Sequence, residues 1–130
     1  GWALPHLYKT WAASEQSALR DQEINFSNLF RYAAHGDAVA QEIWQHCLEV
    51  WVANAVALIH AYDPEVIVFG GGVMHSADVI LPYLQEKVPP RVWSPWGKVE
   101  IRSARLGNDA PLLGAIPLLA NKDVRVRNVR

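Results

Sequence analysis

A short apolar run near the middle of the chain limits the possible folds most strongly. Val66–Phe69 reads Val-Ile-Val-Phe, and three consecutive glycines, Gly70, Gly71 and Gly72, follow it directly. A short run rich in β-branched residues and bounded by turn residues is typical of a strand that is buried on both faces of a parallel sheet. Such a strand needs neighbouring strands, and helices on both sides of the sheet.

A long helix is predicted just before this strand. Asp37 is a good N-cap, because its carboxylate can accept hydrogen bonds from the free amides of a first turn. Apolar residues then recur at helical spacing over about six turns. Asp63 and Pro64 end the helix, since proline cannot continue the hydrogen-bond ladder. Residues 14–34 carry a weaker pattern, which predicts two shorter helices with a break near residues 25–27.

Two more helices and a second strand are predicted after the glycines. Ser76 is the expected N-cap of a helix that reaches about Lys87 despite Pro82. In residues 99–106 apolar and polar side chains alternate, which indicates a strand with one solvated face near the edge of the sheet. A last helix is expected at residues 110–120.

This order of elements indicates a helix-rich α/β fold with parallel strands and flanking helices, joined by a right-handed crossover. The 130 residues fit one domain, yet two strands alone do not make a satisfactory buried parallel sheet. We therefore expect residues 1–130 to be the end of a larger domain whose preceding part is missing. Exposed strand edges and apolar faces would drive self-association, so a homo-oligomer is expected.

Charge and cysteine content exclude several classes of protein. Twelve Lys and Arg stand against thirteen Asp and Glu, so no net field attracts nucleic acid or an anionic membrane. The uncharged stretch near the middle of the chain, residues 50–61, is too short to span a membrane. Cys47 is the only cysteine, which excludes an internal disulfide and a multi-cysteine zinc site. The histidines show no ligand spacing, and we expect a cytoplasmic protein with no metal site in this chain.

The glycine cluster is the one segment that could carry chemistry. Glycines at the carboxyl end of a buried strand let the backbone approach a ligand closely, and this is the usual place for a nucleotide in an open α/β sheet. A tight structural turn is an equally good interpretation. The spacing excludes a P-loop, because Val73 and Met74 stand where lysine and Ser or Thr are needed. It also excludes the dinucleotide fingerprint, because His75 replaces its third glycine.

Three linked motifs carry a resemblance to a known family. They are AHGD at residues 34–37, which opens the long helix, DPEVIVFGGGV at residues 63–73, and LGNDAPLLGA at residues 106–115. Together they are very similar to the ROK family (repressor, open reading frame, kinase), in the correct order over roughly residues 31–120. Three linked motifs are far more specific than any one of them.

The resemblance implies a fold and a role. The fold would be the C-terminal portion of an actin-like ATPase domain of the ribonuclease H type, in which two lobes close over ATP and a sugar. The glycine segment would belong to the adenosine side of the nucleotide site, with Gly70, Gly71, Gly72, Val73 and Met74 as its nucleotide-contacting residues. ATP and Mg²⁺ would be the cofactors of the complete protein.

Several family features do not occur in this chain. The first phosphate loop, the catalytic aspartate and the sugar-binding segment belong to the half that should precede Gly1. The chain therefore offers no catalytic residue, and we expect it to be inactive alone.

Three functions follow from the resemblance. The first is the C-terminal half of an ATP-dependent kinase for a hexose or N-acetylhexosamine. The second is the effector-binding half of a sugar-responsive transcriptional repressor, which would share the fold. The third is a degenerate module kept for sugar sensing or oligomerisation.

Overall fold

The fold is helix-rich α/β with parallel strands. The computed structural model describes residues 3–11, 14–93, 98–105, 113 and 115–117. The helices are α1 (Leu4–Thr10), α2 (Phe26–Ala34), α3 (Ala38–Tyr62) and α4 (Ala77–Lys87), and the strands are β1 (Val66–Phe69) and β2 (Glu100–Ser103). Short 3₁₀ turns occupy Ser14–Gln16, Ala18–Asp21, Gly72–Ser76 and Pro89–Arg91.

Helix α3 is bounded by the residues that the sequence predicts. An Asp37 carboxylate oxygen accepts from the Ala40 amide at 2.9 Å, which satisfies one free donor of the first turn. Asp63 follows the last turn in the left-handed region (φ 45°), and its amide donates to the Ile59 carbonyl at 2.8 Å. Within the described part of the chain, no helix combines the length and the apolar character needed to cross a membrane.

Helix α3 joins two hydrophobic cores. Its N-terminal half packs with α1, α2 and the turn at Ala18–Asp21, and its C-terminal half packs with α4 and the sheet. The first core contains Leu4, Tyr8, Leu19, Leu29, Ala33, Val39, Ala40, Ile43 and Cys47. The second core contains Leu48, Val52, Ala55, Ile59, Ile80, Leu84, Val88 and Ile101. Trp44 and Trp51 pack against both cores and link them.

The segment before α3 differs from its prediction. Only Phe26–Ala34 forms an α-helix, which begins within the predicted break and is capped by Asn25, whose side chain accepts from the Asn28 amide at 2.9 Å. The first predicted helix is wrong, since two 3₁₀ turns take its place. Ser17 is buried and donates to the Asp37 carboxylate at 2.9 Å. This long-range bond anchors the segment in a conformation that a local pattern does not predict.

The sheet has its two strands parallel, as predicted. Val66 lies opposite Glu100, and Ile67 lies opposite Ile101. Ile67 packs against the second core, whereas Val68, on the opposite face, is 60% exposed. The expectation that β1 is buried on both faces is therefore wrong for the described residues, because none of them covers its outer face.

Strand β2 shows the predicted alternation. Ile101 is buried, whereas Glu100 and Arg102 are exposed and form an ion pair on the outer face. Its one solvated face is thus confirmed.

Helix α4 ends at Lys87 and contains Pro82, as predicted, but a 3₁₀ turn at Gly72–Ser76 precedes it, and the Ser76 side chain makes no capping bond. Of the predicted last helix, Leu113 and residues 115–117 are described and are helical. The rest of that prediction lies outside the described residues.

Candidate functional site

The three glycines after β1 are glycines for different physical reasons. A Cβ atom on Gly70 would lie 3.3 Å from the Ala104 Cβ, so close packing against the end of β2 favours glycine there. Gly71 has φ 90° and ψ 176°, a backbone conformation that is essentially restricted to glycine. Gly72 has no positive φ, and a Cβ added to it would meet nothing within 4 Å. The described fold therefore requires glycine at position 71, favours it at position 70 and leaves Gly72 unexplained.

The glycine loop, defined here as residues 70–73, forms one side of an open groove of about 650 Å³. The other side is the wall segment, residues 23–27, together with Pro5 of α1. We call this space the glycine groove. It lies between the two halves of the molecule, because the loop belongs to the second core and the wall segment leads into the first.

Hydrogen bonds hold the wall segment in place. The Asn25 side chain caps α2, and the Asn28 side-chain amide donates to the Glu23 carbonyl at 2.8 Å. These two bonds close the turn that enters α2, so the segment has a defined conformation.

The N-terminus of α2 lies at the edge of the groove. Its first turn contains no acidic residue. The free amides at a helix N-terminus favour electron-rich groups.

The charge of the groove limits what it can bind. Glu23 is the only charged residue among the described residues that line it. Polyphosphates are usually bound by Lys, Arg or a metal ion, and the described lining offers no such cation. The groove therefore suits an uncharged, partly apolar part of a ligand better than its phosphates.

The predicted nucleotide contacts lie close together but have different environments. Gly70, Gly71, Gly72 and Val73 line the groove. Val73 and Met74 also pack against the second core. The Met74 amide donates to the Gly71 carbonyl at 3.0 Å, which fixes the turn after the loop.

Sequence reasoning missed the wall segment. Its residues are far from the glycines along the chain, and no motif marks them. The only local signal is Asn25, an N-cap residue placed just before the apolar start of α2. That signal predicts a helix boundary and gives no indication of a groove.

Neither Cys47 nor the possible metal-binding side chains form a second candidate site in the described residues. Burial raises the pKa of the Cys47 thiol to about 11, so it is a packed core side chain rather than a nucleophile. No group of three or more His, Cys, Asp or Glu side chains that could hold a metal ion occurs in the part of the chain that the structure describes.

Comparisons with known proteins identify the family. A sequence profile of the ROK family matches residues 1–122. Glucokinase from Thermotoga maritima is 26% identical over 102 residues, which are 78% of this chain and 32% of that protein. Glucokinase from Halalkalibacterium halodurans is 35% identical over 92 residues, 67% of this chain and 27% of that protein.

A solved structure supports the same conclusion. The crystal structure of a "putative sugar kinase" from Cytophaga hutchinsonii superposes with a TM-score of 0.69 at 27% identity, over 91% of this chain and 40% of that one. This chain therefore spans under half of that structure and about a third or less of the two glucokinases. The likeness confirms the expected fold class, a helix-rich α/β arrangement of the kind found in actin-like ATPases. The chain belongs to the ROK family.

Proposed function

We propose that the chain supplies the adenosine side of the nucleotide site in an ATP-dependent kinase for a hexose or an N-acetylhexosamine. The proposal rests on one observation: Gly72 lines the groove, yet the described fold does not require glycine at this position. A missing side chain at an open groove lets a ligand approach the backbone. The proposed nucleotide contacts remain Gly70, Gly71, Gly72, Val73 and Met74.

In such a kinase, the nucleoside and the phosphates of ATP would be bound by different residues, because the phosphates are charged. ATP supplies the phosphoryl group, and the glycine groove, whose described lining has no cation, binds and orients its nucleoside. The phosphates, Mg²⁺ and the group that accepts the sugar proton would be held by residues outside this groove, because its described lining has no cation and only one carboxylate. We assign no catalytic residue and no Mg²⁺ ligand to this chain, and we propose that its preceding half supplies them.

The names of the relatives favour the kinase over the repressor and the degenerate module. Two glucokinases and a sugar kinase structure are among the proteins that the chain resembles. A repressor of the same family would share the fold and bind sugar without turnover. The two functions therefore differ in activity rather than in the geometry of this chain.

The test is ATP-dependent phosphorylation of a panel of hexoses and N-acetylhexosamines. The full-length gene product and the 130-residue chain would be assayed in parallel at equal concentration. We expect turnover of at least one sugar by the full-length protein and none by the chain alone. No turnover by the full-length protein, with a sugar still bound, would contradict the kinase and favour the repressor or the sensing module.

We also propose that the isolated chain self-associates. Val68, Trp93 and Tyr62 are 60%, 76% and 77% exposed, and the outer edge of β1 has no described partner. Exposed strand edges and apolar side chains of this kind rarely stay in water. Sedimentation velocity at increasing concentration should show oligomers, and Val68→Lys should reduce them. A strictly monomeric chain would contradict this proposal.

A cytoplasmic location is proposed from the single cysteine. Cys47 is buried in the first core and forms no disulfide, and proteins of oxidising compartments more often use paired cysteines. Fractionation of cells that express the full-length gene product would test it.

A further inference from the structure

Phe26 lines two cavities at once. It is half-buried at the start of α2 and belongs to the wall of the glycine groove. It also lines a smaller apolar groove of about 230 Å³ between α1 and α3, together with residues such as Leu7 and Trp51. Phe26 therefore lies between the proposed nucleoside site and this second groove.

Other aromatic rings hold Phe26 in position. Its ring centroid lies 5.6 Å from Trp51 and 6.1 Å from Phe30. Phe30 makes an edge contact with Trp44 at 4.1 Å, and Trp44 makes another with Trp51 at 5.8 Å. Because the tryptophans pack against both cores, these ring contacts hold Phe26 in a defined position.

The groove thus has two dissimilar walls. The glycine loop offers backbone with no side chain at Gly71 or Gly72, and an added Cβ at either would meet nothing within 4 Å. The wall segment offers one aromatic ring, at Phe26, and the lining is uncharged apart from Glu23. A flat, uncharged aromatic ligand fits the glycine groove better than a flexible or charged one.

We propose that Phe26 is the specificity-determining residue of the glycine groove and provides the platform on which the nucleobase of ATP stacks. This inference rests on the proposed function and adds to it, because it assigns base recognition to the wall segment rather than to the glycines. Ordering the ring costs little on binding, since the aromatic cluster already fixes it.

Two matched substitutions in the full-length gene product test the platform. Phe26→Leu removes the ring and keeps an apolar side chain. Phe30→Leu removes a ring from the same cluster, at a residue that is not among the described residues lining the groove. Binding of ATP and of inorganic tripolyphosphate would be measured by isothermal titration calorimetry.

We expect Phe26→Leu to weaken ATP binding about tenfold, within the range that base–aromatic stacking supplies. Tripolyphosphate binding should stay unchanged in this variant, because it has no base to stack. Phe30→Leu should leave ATP binding within about twofold of wild type even if it lowers the unfolding temperature, because Trp51 still contacts the Phe26 ring and Phe30 is not among the described residues that line the groove.

A second measurement does not depend on how the variants fold. In the wild-type protein with labelled phenylalanine, the H2 or H8 proton of bound adenine should show a nuclear Overhauser effect to the Phe26 ring. Absence of that contact from a saturated complex would overturn the platform.

The outcomes separate the two proposals. If wild-type protein does not bind ATP, the proposed function fails. If wild type binds ATP and Phe26→Leu binds it equally well, or loses tripolyphosphate to the same degree, the platform fails and the nucleotide site stands. Equal losses of ATP binding in Phe26→Leu and Phe30→Leu would also overturn the platform, because they would show a general structural effect.

Discussion

The described chain encloses the first core on all sides that the helices and turns provide, whereas the sheet beside the second core has one exposed face. The first core is closed by helices and turns of the described chain, and its central residues Leu19 and Leu29 are fully buried. The second core is equally well packed around Leu84 and Ile59. Its sheet, however, has only two described strands, and their outer face carries exposed Val66 and Val68.

The difference shows where the function is expected to lie. A core built from neighbouring helices can be completed locally, whereas a parallel sheet needs strands that are distant in sequence. The glycine groove lies between the two regions, with the glycine loop from the second and the wall segment from the first. Helix α3 spans both cores, so the geometry of the groove depends on their connection.

Large-to-small substitution in each core should give the largest effect. Leu29→Ala and Leu84→Ala each remove a fully buried side chain and should lower the free energy of unfolding by about 2–5 kcal/mol. We expect a single transition in urea for wild type and both variants, because α3 and the shared tryptophans couple the cores. Leu58→Ala, at a site 47% exposed, should cost under about 1 kcal/mol. Two separate transitions would show that the regions unfold independently.

Substitution of Gly71 should destabilise the second region through the backbone. Gly71→Ala forces a side chain into a conformation essentially restricted to glycine, which costs about 1–3 kcal/mol. Gly72→Ala is the matched control, because nothing lies within 4 Å of the added methyl group. Thermal unfolding should separate the pair, and equal melting temperatures would mean that the described backbone of this turn is wrong.

Asp37 anchors the first region. Its carboxylate accepts from the Ala40 amide, the Ser17 hydroxyl and the Ala18 amide, each at 2.9 Å. Asp37→Asn cannot accept all of these bonds and should lower the free energy of unfolding by about 1–2 kcal/mol. Chemical denaturation at pH 7 would measure the loss.

The contribution of Asp37 should also depend on pH. Partial burial alone would raise its pKa, but hydrogen bonds from Ala40, Ser17 and Ala18 outweigh burial and hold the pKa below its ordinary value of 3.8. Since the folded pKa is the lower one, the stabilisation is present above pH 3.8 and is lost as the pH falls through the folded value. The difference between wild type and Asp37→Asn should shrink in that acidic window, and a difference that grows on acidification would contradict this role.

Tyr83 is the corresponding anchor in the second region and should give the smallest effect. Its hydroxyl donates to Glu49 and accepts from Gln45, both residues of α3, at 2.5 Å. Tyr83→Phe should cost under about 1 kcal/mol, because these groups are partly solvated. A loss as large as that of Asp37→Asn in the same denaturation assay would mean that the two anchors are equivalent.

The sequence predicted best what is decided locally. Both ends of α3 follow from Asp37 and from the Asp63–Pro64 stop, and the parallel pairing of β1 and β2 follows from the alternation of strand and helix. The motifs also led to the ROK family. The sequence also placed the glycines at the end of β1, and it left open whether they bind a nucleotide or only form a tight turn.

The missed features depend on contacts between distant residues. The turns at residues 14–21 are held by the bond from Ser17 to Asp37, and the wall segment meets the glycine loop only in the folded chain. The burial of β1 was overestimated for a related reason. A β-branched run indicates the environment for which a strand is suited, and none of the described residues covers the outer face of β1.

Titration of ATP into the full-length gene product and its Gly72→Ala variant tests directly whether the glycine loop binds a nucleotide. We expect wild type to bind ATP, and we expect the added methyl group to weaken binding at least about tenfold while the unfolding temperature stays unchanged. Equal affinity in both proteins, or no binding by wild type, would contradict a nucleotide site at the glycine loop.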